Sequence, residues 1–454
     1  MPRIESPPST TLRRGFAAWE RLAEAGRWDE LRDYALERYV HWDDLRRRRA
    51  VFGDDVRLED VWAAIHGLRF VEWAVLPLPS GDGGYMKIAN RLERVLATCH
   101  EIEGFGLGLH GDDLGPEDED PADALGCTLE ELRATVGIEG ARTSRAEAED
   151  LWWELVHTRN APAPTERRLR MLSNAMRAWR QLPAWAEGPL TPDLLCRMQG
   201  TLTRGTLDDP NDVGRFRTDD DVRVFDSLDG LTAHVPPPAA TLETAISALC
   251  AFANAREASR PYLHPLVRAV LLHFALAYYH PFGDGNGRTA RLLFQWSVYR
   301  QRDLRWLHSV PVSRAILRCR GRYDRSFHLT ETDGLDTTHF VLDQLDFVHQ
   351  AAKEYREHLV ERQEQHQELR RRLRAEGLNS RQLDTILSLA VHPAEELTQA
   401  GYARRHGVTQ STASLDLNDL VKRGLLDKVG GRPILYRAAR RTLQRLQVGH
   451  RKRK

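Results

Sequence analysis

This sequence offers little by which it could be cross-linked or embedded. Its five cysteines, Cys99, Cys127, Cys196, Cys250 and Cys319, are scattered, odd in number and form no Cys-x-x-Cys pair. That argues against a disulfide framework and against a thiolate zinc site. No stretch approaches the roughly eighteen uninterrupted apolar residues of a membrane span, and Met1 to Arg14 lacks the apolar core of a signal peptide. Neither sign of charge is in excess: 65 Lys and Arg stand against 65 Asp and Glu. Attraction to nucleic acid or membrane must then come from a local patch. The expectation is a protein of the reducing cytoplasm with no membrane partner. At 454 residues, 41% hydrophobic and 29% charged, the chain has the length of about three domains, each able to bury a core.

What is present is concentrated in His280-Pro281-Phe282-Gly283-Asp284-Gly285-Asn286-Gly287-Arg288-Thr289-Ala290-Arg291. The run before it (Leu266, Val270, Leu271, Phe274, Ala277, Tyr278) has helical spacing and is apolar nearly all round, which predicts a buried helix. Pro281 disfavours the α region for His280 and ends that helix, leaving the imidazole at a helix-to-loop corner. Gly285 and Gly287 allow close backbone approach to a ligand. Arg288 then opens a second apolar helix, whose unpaired N-terminal amides make an anion site. Arg288 and Arg291 share one face of it and suit a polyphosphate, with Asp284 placed for a hard cation such as Mg²⁺. With that charge neutralised, His280 can take the proton of an incoming hydroxyl. The constellation reads as nucleotide-dependent transfer onto a hydroxyl.

The same stretch resembles the signature of the Fic family, His-Pro-Phe-x-(Asp/Glu)-Gly-Asn-Gly-Arg-x-x-Arg, with every specified position filled. The resemblance implies a mainly α Fic fold with a β-hairpin flap, and transfer of AMP from ATP to a Ser, Thr or Tyr hydroxyl of a target protein. It implies His280 as general base and Asp284 as Mg²⁺ ligand. Gly285, Asn286 and Gly287 would form the anion hole, with Arg288 and Arg291 on the distal phosphates. Thr128 and Glu131 suggest a capping box opening a short helix that Gly140 ends. Thr135-Val136-Gly137-Ile138-Glu139-Gly140 resembles the inhibitory (Ser/Thr)-x-x-x-Glu-(Gly/Asn) motif of many Fic proteins, whose glutamate pairs with the second motif arginine, here Arg291. A carboxylate on that guanidinium competes with the nucleotide's γ-phosphate. Ile102-Glu103-Gly104 repeats part of the text, but Cys99 stands where Ser or Thr is expected, which favours Glu139.

Four segments follow: a helical extension over 1–125 with no assigned function, a Fic domain over 126–340, a solvated connecting helix over 341–376, and a last domain over 377–454. Leu76 to Tyr85, rich in proline and glycine, reads as a loop, as does the acidic Gly111 to Asp123. Ser144 with Glu147 and Thr191-Pro192 open helices. Gln199 stands where relatives often carry histidine and reads as a packing difference. His264 and His273 read as core histidines. Val222 to Val224 and His234-Val235, joined by an Asp229-Gly230 turn, read as a hairpin that resembles the flap pairing with a target's backbone. The last domain resembles a winged helix-turn-helix with Thr409 to Arg423 as recognition helix. Asp416 and Asp419 count against DNA there, whereas Arg423, Arg432 and Arg451-Lys452-Arg453-Lys454 could meet phosphates. Duplex DNA and a protein surface, as homodimer contact or target capture, therefore both stay open. So do a DNA-binding regulator with a nucleotide-sensing core and Fic enzymes of other chemistry, transferring another phosphate-containing group or removing AMP.

Overall fold

The computed structural model describes residues 4–48, 52, 56–89, 91–111, 121–158, 162–225, 232–255, 262–375, 377–391, 396–430 and 434–439. The Asp229-Gly230 turn, Arg432, the basic tail and most of the acidic 111–123 segment lie outside them. The fold is mainly α, and the sheets among the described residues are small: two two-stranded hairpins and one three-stranded sheet. The chain divides into two compact units, Met1–Pro116 with Cys127–Lys353 and Glu117–Gly126 with Glu354–Lys454. Among the described residues no helix is long and apolar enough to cross a membrane.

The first unit is built around the helix Pro265–Tyr279, buried on every side. The helix Asn286–Arg300 returns beside it, with Leu293 and Trp296 buried and the Trp296 indole donating to Trp185 O at 3.0 Å. Arg167–Ala186, Pro192–Thr203 and Leu242–Asn254 complete the layer. Their starts are legible locally. Thr191 caps Leu194 N ahead of Pro192, and Ser144 and Glu147 form a reciprocal capping box at Arg145–His157.

The N-terminal helices bury a cluster of their own around Leu22, Leu31, Trp62 and Ile65. Trp28, in the same layer, stands 37% exposed. A buried polar knot ties this layer to the rest of the unit. Tyr39 Oη donates to Asp336 Oδ2 at 2.6 Å, and Arg69, fully buried, donates to Ala35 O and Val40 O and faces Asp333 at 3.5 Å.

Two expectations need correction. Residues 76–85 are not simply a loop: Ala74–Pro79 pairs antiparallel with Tyr85–Ile88, with a shift of register between Val75 and Pro79. In a two-stranded sheet both strands are edges, so Pro77 and Pro79 remove no interior ladder bond. Nor is the 341–376 stretch solvated throughout. Residues 341–375 lie within the helix Thr338–Ala375, whose first half buries Phe340, Leu345, Val348 and Ala352 at helical spacing, and the charged pattern begins only at Lys353.

The second unit contains the helices Ser380–Val391, Gln399–His406 and Gln410–Lys422, packed around Ile386, Tyr402, Leu417 and Leu420. Its sheet places Leu435–Ala438 between Leu397–Thr398 and Leu426–Val429. The two-residue first strand escaped sequence reading because it carries no alternation.

Candidate active site

His264 caps the first turn of the buried helix, its Nδ1 accepting from Leu266 N at 3.2 Å, and Pro265 takes the first helical position. At the other end Pro281 leaves His280 in the left-handed region at φ 46°, ψ 56°. Few non-glycine residues adopt that conformation. The ring's Nδ1 lies 3.1 Å from Ala277 O. A carbonyl only accepts, so Nδ1 carries the hydrogen and Nε2 keeps its lone pair. Burial pushes the imidazole down to about 4. The Ala277 bond and Glu139 oppose that shift, while His234 and Arg217 add to it. His280 is therefore an uncharged acceptor at neutral pH.

The following loop is held from several sides. Gly285 has φ +85°, and a Cβ there would lie 2.5 Å from Thr203 Cγ2. Asn286 spends its side chain on closing the loop: Oδ1 accepts from Phe282 N at 3.0 Å and Nδ2 donates to Phe282 O at 2.8 Å. Of Asn286, then, its backbone amide is what remains for an anion. Sequence reading underrated Gln199. It is fully buried, donates to Asp284 O at 3.0 Å and accepts from Gly214 N at 2.6 Å, so it ties the loop to the turn that leads into the flap. The next helix starts at Asn286, two residues before the expected Arg288, and no side chain caps it. The amides of Asn286, Gly287 and Arg288 thus form an open first turn.

Arg288 and Arg291 are both buried. Arg288 donates to Leu202 O at 3.3 Å and to Asp284 Oδ2 at 3.4 Å. Arg291 faces the segment from the helix Pro121–Ile138. Its Nε donates to Thr135 Oγ1 at 2.8 Å, and its Nη2 donates to Thr135 O at 3.0 Å and to Glu139 Oε1 at 2.7 Å. Burial alone would raise the Glu139 carboxyl, but Arg291, with Arg288 and Arg320, brings it below its ordinary value. Gly287 makes room for this pair: a Cβ there would stand 2.6 Å from Glu139 Oε1. Glu103 lies elsewhere, bonded to His264 Nε2 at 2.9 Å.

The helix carrying Thr135 starts at Pro121, so Thr128 lies inside it and forms no capping box. Proline at the first position and helix-tolerant residues after it carry the start upstream. Glu131 serves a tertiary role instead, accepting from Ser313 N and Ser313 Oγ, both at 2.6 Å. Burial lifts this carboxyl to about 7 against the Ser313 bonds and the charge of Arg291. Gly140 ends the segment at φ +84°, and Arg320 donates to Ile138 O. His273 is buried and pushed down to about 3 by desolvation, with its Nε2 3.0 Å from Tyr323 Oη.

Over the corner, Val224–Phe225 pairs antiparallel with Thr232–His234. His234 sets Nε2 against Tyr278 O at 2.7 Å and Nδ1 against Glu331 Oε2 at 2.9 Å, its ring centroid 6.4 Å from that of His280.

Asp284 is the carboxylate carried by the loop itself. Its side chain is 49% exposed, with Oδ1 accepting from Gly285 N at 2.5 Å. A single carboxylate with an open side suits Mg²⁺, which takes one or two carboxylates and fills the rest of its shell with water and phosphate oxygens. Among the described residues Asp333, Asp336 and His339 also have ligand atoms close enough to share an ion. Their oxygens are already engaged by His66, Arg69, Tyr39, Trp73, Thr338 and His339 itself, which makes the cluster structural.

The sequence model of the Fic/DOC family matches residues 189–298. A protein adenylyltransferase Fic of Nematostella vectensis is 40% identical over 84 residues, 18% of this chain and 17% of that protein. One from Culex quinquefasciatus is 34% identical over 92 residues, 20% of this chain and 16% of that protein. The chain thus spans about a sixth of the length of these curated relatives. A Fic family protein from Desulfovibrio desulfuricans is a structural neighbour at TM-score 0.49 and 19% identity, over 77% of this chain and 96% of that one.

Proposed function

Residues 189–298 match the sequence model of the Fic/DOC family, and on that likeness we propose that the chain is a Fic protein adenylyltransferase restrained by Glu139. One observation carries the reading. His280, with Nδ1 fixed on Ala277 O and its pKa depressed, is an unprotonated base one loop away from an uncapped helix start and two buried guanidiniums.

In this reading the amides of Asn286, Gly287 and Arg288 and the two arginines bind the phosphates of ATP. Asp284 holds Mg²⁺, which when bound supplies charge neutralisation for those phosphates. A Ser, Thr or Tyr hydroxyl of a target protein, presented by the flap, loses its proton to His280 Nε2. The oxygen–phosphorus bond forms at the α-phosphate as the α–β bridging bond breaks, and pyrophosphate leaves. Glu139 holds the reaction off because it occupies the Arg291 Nη2 donor that a terminal phosphate needs. Five scattered cysteines with no Cys-x-x-Cys pair fit work in a reducing compartment, the cytoplasm.

The test is intact-mass spectrometry of Glu139→Gly incubated with ATP, Mg²⁺ and cell lysate, beside the unsubstituted chain and the Glu139→Gly, His280→Ala double variant. Transfer of one AMP by Glu139→Gly alone is expected. No transfer to any protein, or undiminished transfer without His280, would overturn the reading.

For the C-terminal unit we propose duplex DNA as a second partner. The aspartates that counted against it are used internally. Asp416 is buried and accepts from Asn379, Arg381 and Tyr402, and Asp419 accepts from Gln382 and Arg423. Ser411 and Lys422 remain exposed on the Gln410–Lys422 helix. Salt-dependent binding of a random-sequence duplex by the intact chain, weakened in Lys422→Glu, is the expected result.

A further inference from the structure

A third buried guanidinium meets the catalytic corner, away from the phosphate side. The side chain of Arg217 is 3% exposed. Its Nε donates to His280 O at 3.0 Å, and its backbone N donates to Pro281 O at 2.8 Å. Nη2 donates to Pro237 O and reaches Tyr279 O at 3.5 Å. Nη1 donates to Asp219 O at 2.7 Å and to Asp220 Oδ1 at 3.2 Å. The same Asp220 oxygen accepts from Ala239 N at 2.6 Å.

These partners belong to two structures. Tyr279 O, His280 O and Pro281 O are the last carbonyls of the buried helix and its corner, where the negative end of the helix dipole points and no intrahelical donor remains. Asp219, Asp220, Pro237 and Ala239 are the two roots of the flap, the outgoing strand and the returning one. One planar cation with five N–H groups in a fixed fork spans both, which a lysine's single nitrogen cannot do. His280 also sits in a left-handed conformation that a histidine leaves unless its surroundings hold it.

We infer that Arg217 is a positioning residue: it locks the left-handed turn that presents His280 and fixes the flap, and with it the target strand, at a set height over that base. This deepens the adenylyltransferase reading and rests on it for the flap's role. Arg217 touches neither Asp284 nor the phosphate-binding amides, so nucleotide binding is independent of it.

The experiment compares Glu139→Gly with the same protein carrying Arg217→Lys or Asp220→Ala. It measures AMP transfer, ATP affinity and the ¹⁵N imidazole titration of His280 by NMR. His234 of the flap, Glu139 of the inhibitory segment and Arg217 are the charged or titratable groups acting on that ring. For Arg217→Lys the expected result is ATP affinity within twofold, transfer at least twentyfold lower, and altered His280 tautomer populations and titration midpoint. Asp220 is 63% exposed and cuts only one leg of the flap attachment. Its variant keeps the protein folded and lowers transfer about threefold, with the His280 titration unchanged.

An unchanged His280 spectrum in Arg217→Lys overturns the inference whatever the activity. Should Arg217→Lys fail to fold, undiminished transfer by Asp220→Ala overturns the flap half. If the spectrum shifts while the parent transfers no AMP, the adenylyltransferase reading falls and the positioning of His280 stands.

Discussion

Removing Glu139 has two consequences of opposite sign, and together they measure the switch. Glu139→Gly deprives the buried Arg291 of its carboxylate partner at 2.7 Å. Breaking a fully buried pair costs about 3–5 kcal/mol. The Glu139 side chain is 31% exposed, and Thr135 keeps two bonds to the guanidinium, so the loss lies nearer that of one charge-assisted hydrogen bond. That is about 2 kcal/mol. At about 2–4 °C per kcal/mol for a large domain, the nucleotide-free variant melts about 4–8 °C below the parent. The same 2 kcal/mol no longer opposes a phosphate on Arg291, so ATP affinity rises about thirtyfold. Scanning fluorimetry and titration calorimetry, both in a His280→Ala background that prevents turnover, read the two numbers. A melting point equal to or above the parent's, together with an affinity within twofold, would refute the reasoning, because the carboxylate would then neither support Arg291 nor compete for it.

Three further outcomes follow from the same coordinates. Because burial holds His280 at about 4, the base form persists well below the ordinary histidine range. Glu139 holds that value up, so the acid limb of kcat/KM for Glu139→Gly should fall no higher than about pH 4, and a limb near 6.5 would contradict the buried-base geometry. His41 and His273 are pushed to about 3 by burial, so the unfolded chain binds more protons than the folded one between about pH 3 and 6.5. Stability is therefore complete above that window and falls on acidification by up to about 1.4 kcal/mol per pH unit for each histidine, measurable by urea melts in a pH series. Gln199→Leu leaves Asp284 O and Gly214 N without their side-chain partners; transfer in the Glu139→Gly background should drop about tenfold, from about 1–2 kcal/mol of lost loop support, and unchanged kinetics would return Gln199 to mere packing.

The site's chemistry was legible where local rules act on neighbours in sequence. Pro281 ends a helix, glycines open a loop, and arginines three apart share a face. The supporting contacts were not legible, because they join residues far apart. Gln199 and Asp284 are 85 apart, Arg217 and His280 are 63 apart, and Glu131 meets Ser313 across 182 residues. A glutamine and an arginine in those places carry no periodic or motif signal. The same limit produced the Thr128 error, where a capping pattern complete on paper was overridden by a longer helix and by a partner for Glu131 elsewhere in the fold. The prolines of the 74–88 hairpin misled differently, since their meaning depends on whether a strand is central or marginal, which only topology decides.

The left-handed turn at His280 bears on how such a protein could change over time. A histidine held at φ 46° is under local tension that asparagine or glycine would not feel. Either replacement would delete the base while relaxing the backbone, and neither touches the amides, Arg288 or Arg291. For the proposed enzyme, the route to a silent nucleotide binder therefore relieves backbone strain while giving up the ring's bond to Ala277 O. A histidine at this corner answers a demand of that chemistry, since glycine or asparagine would take the same turn with less strain.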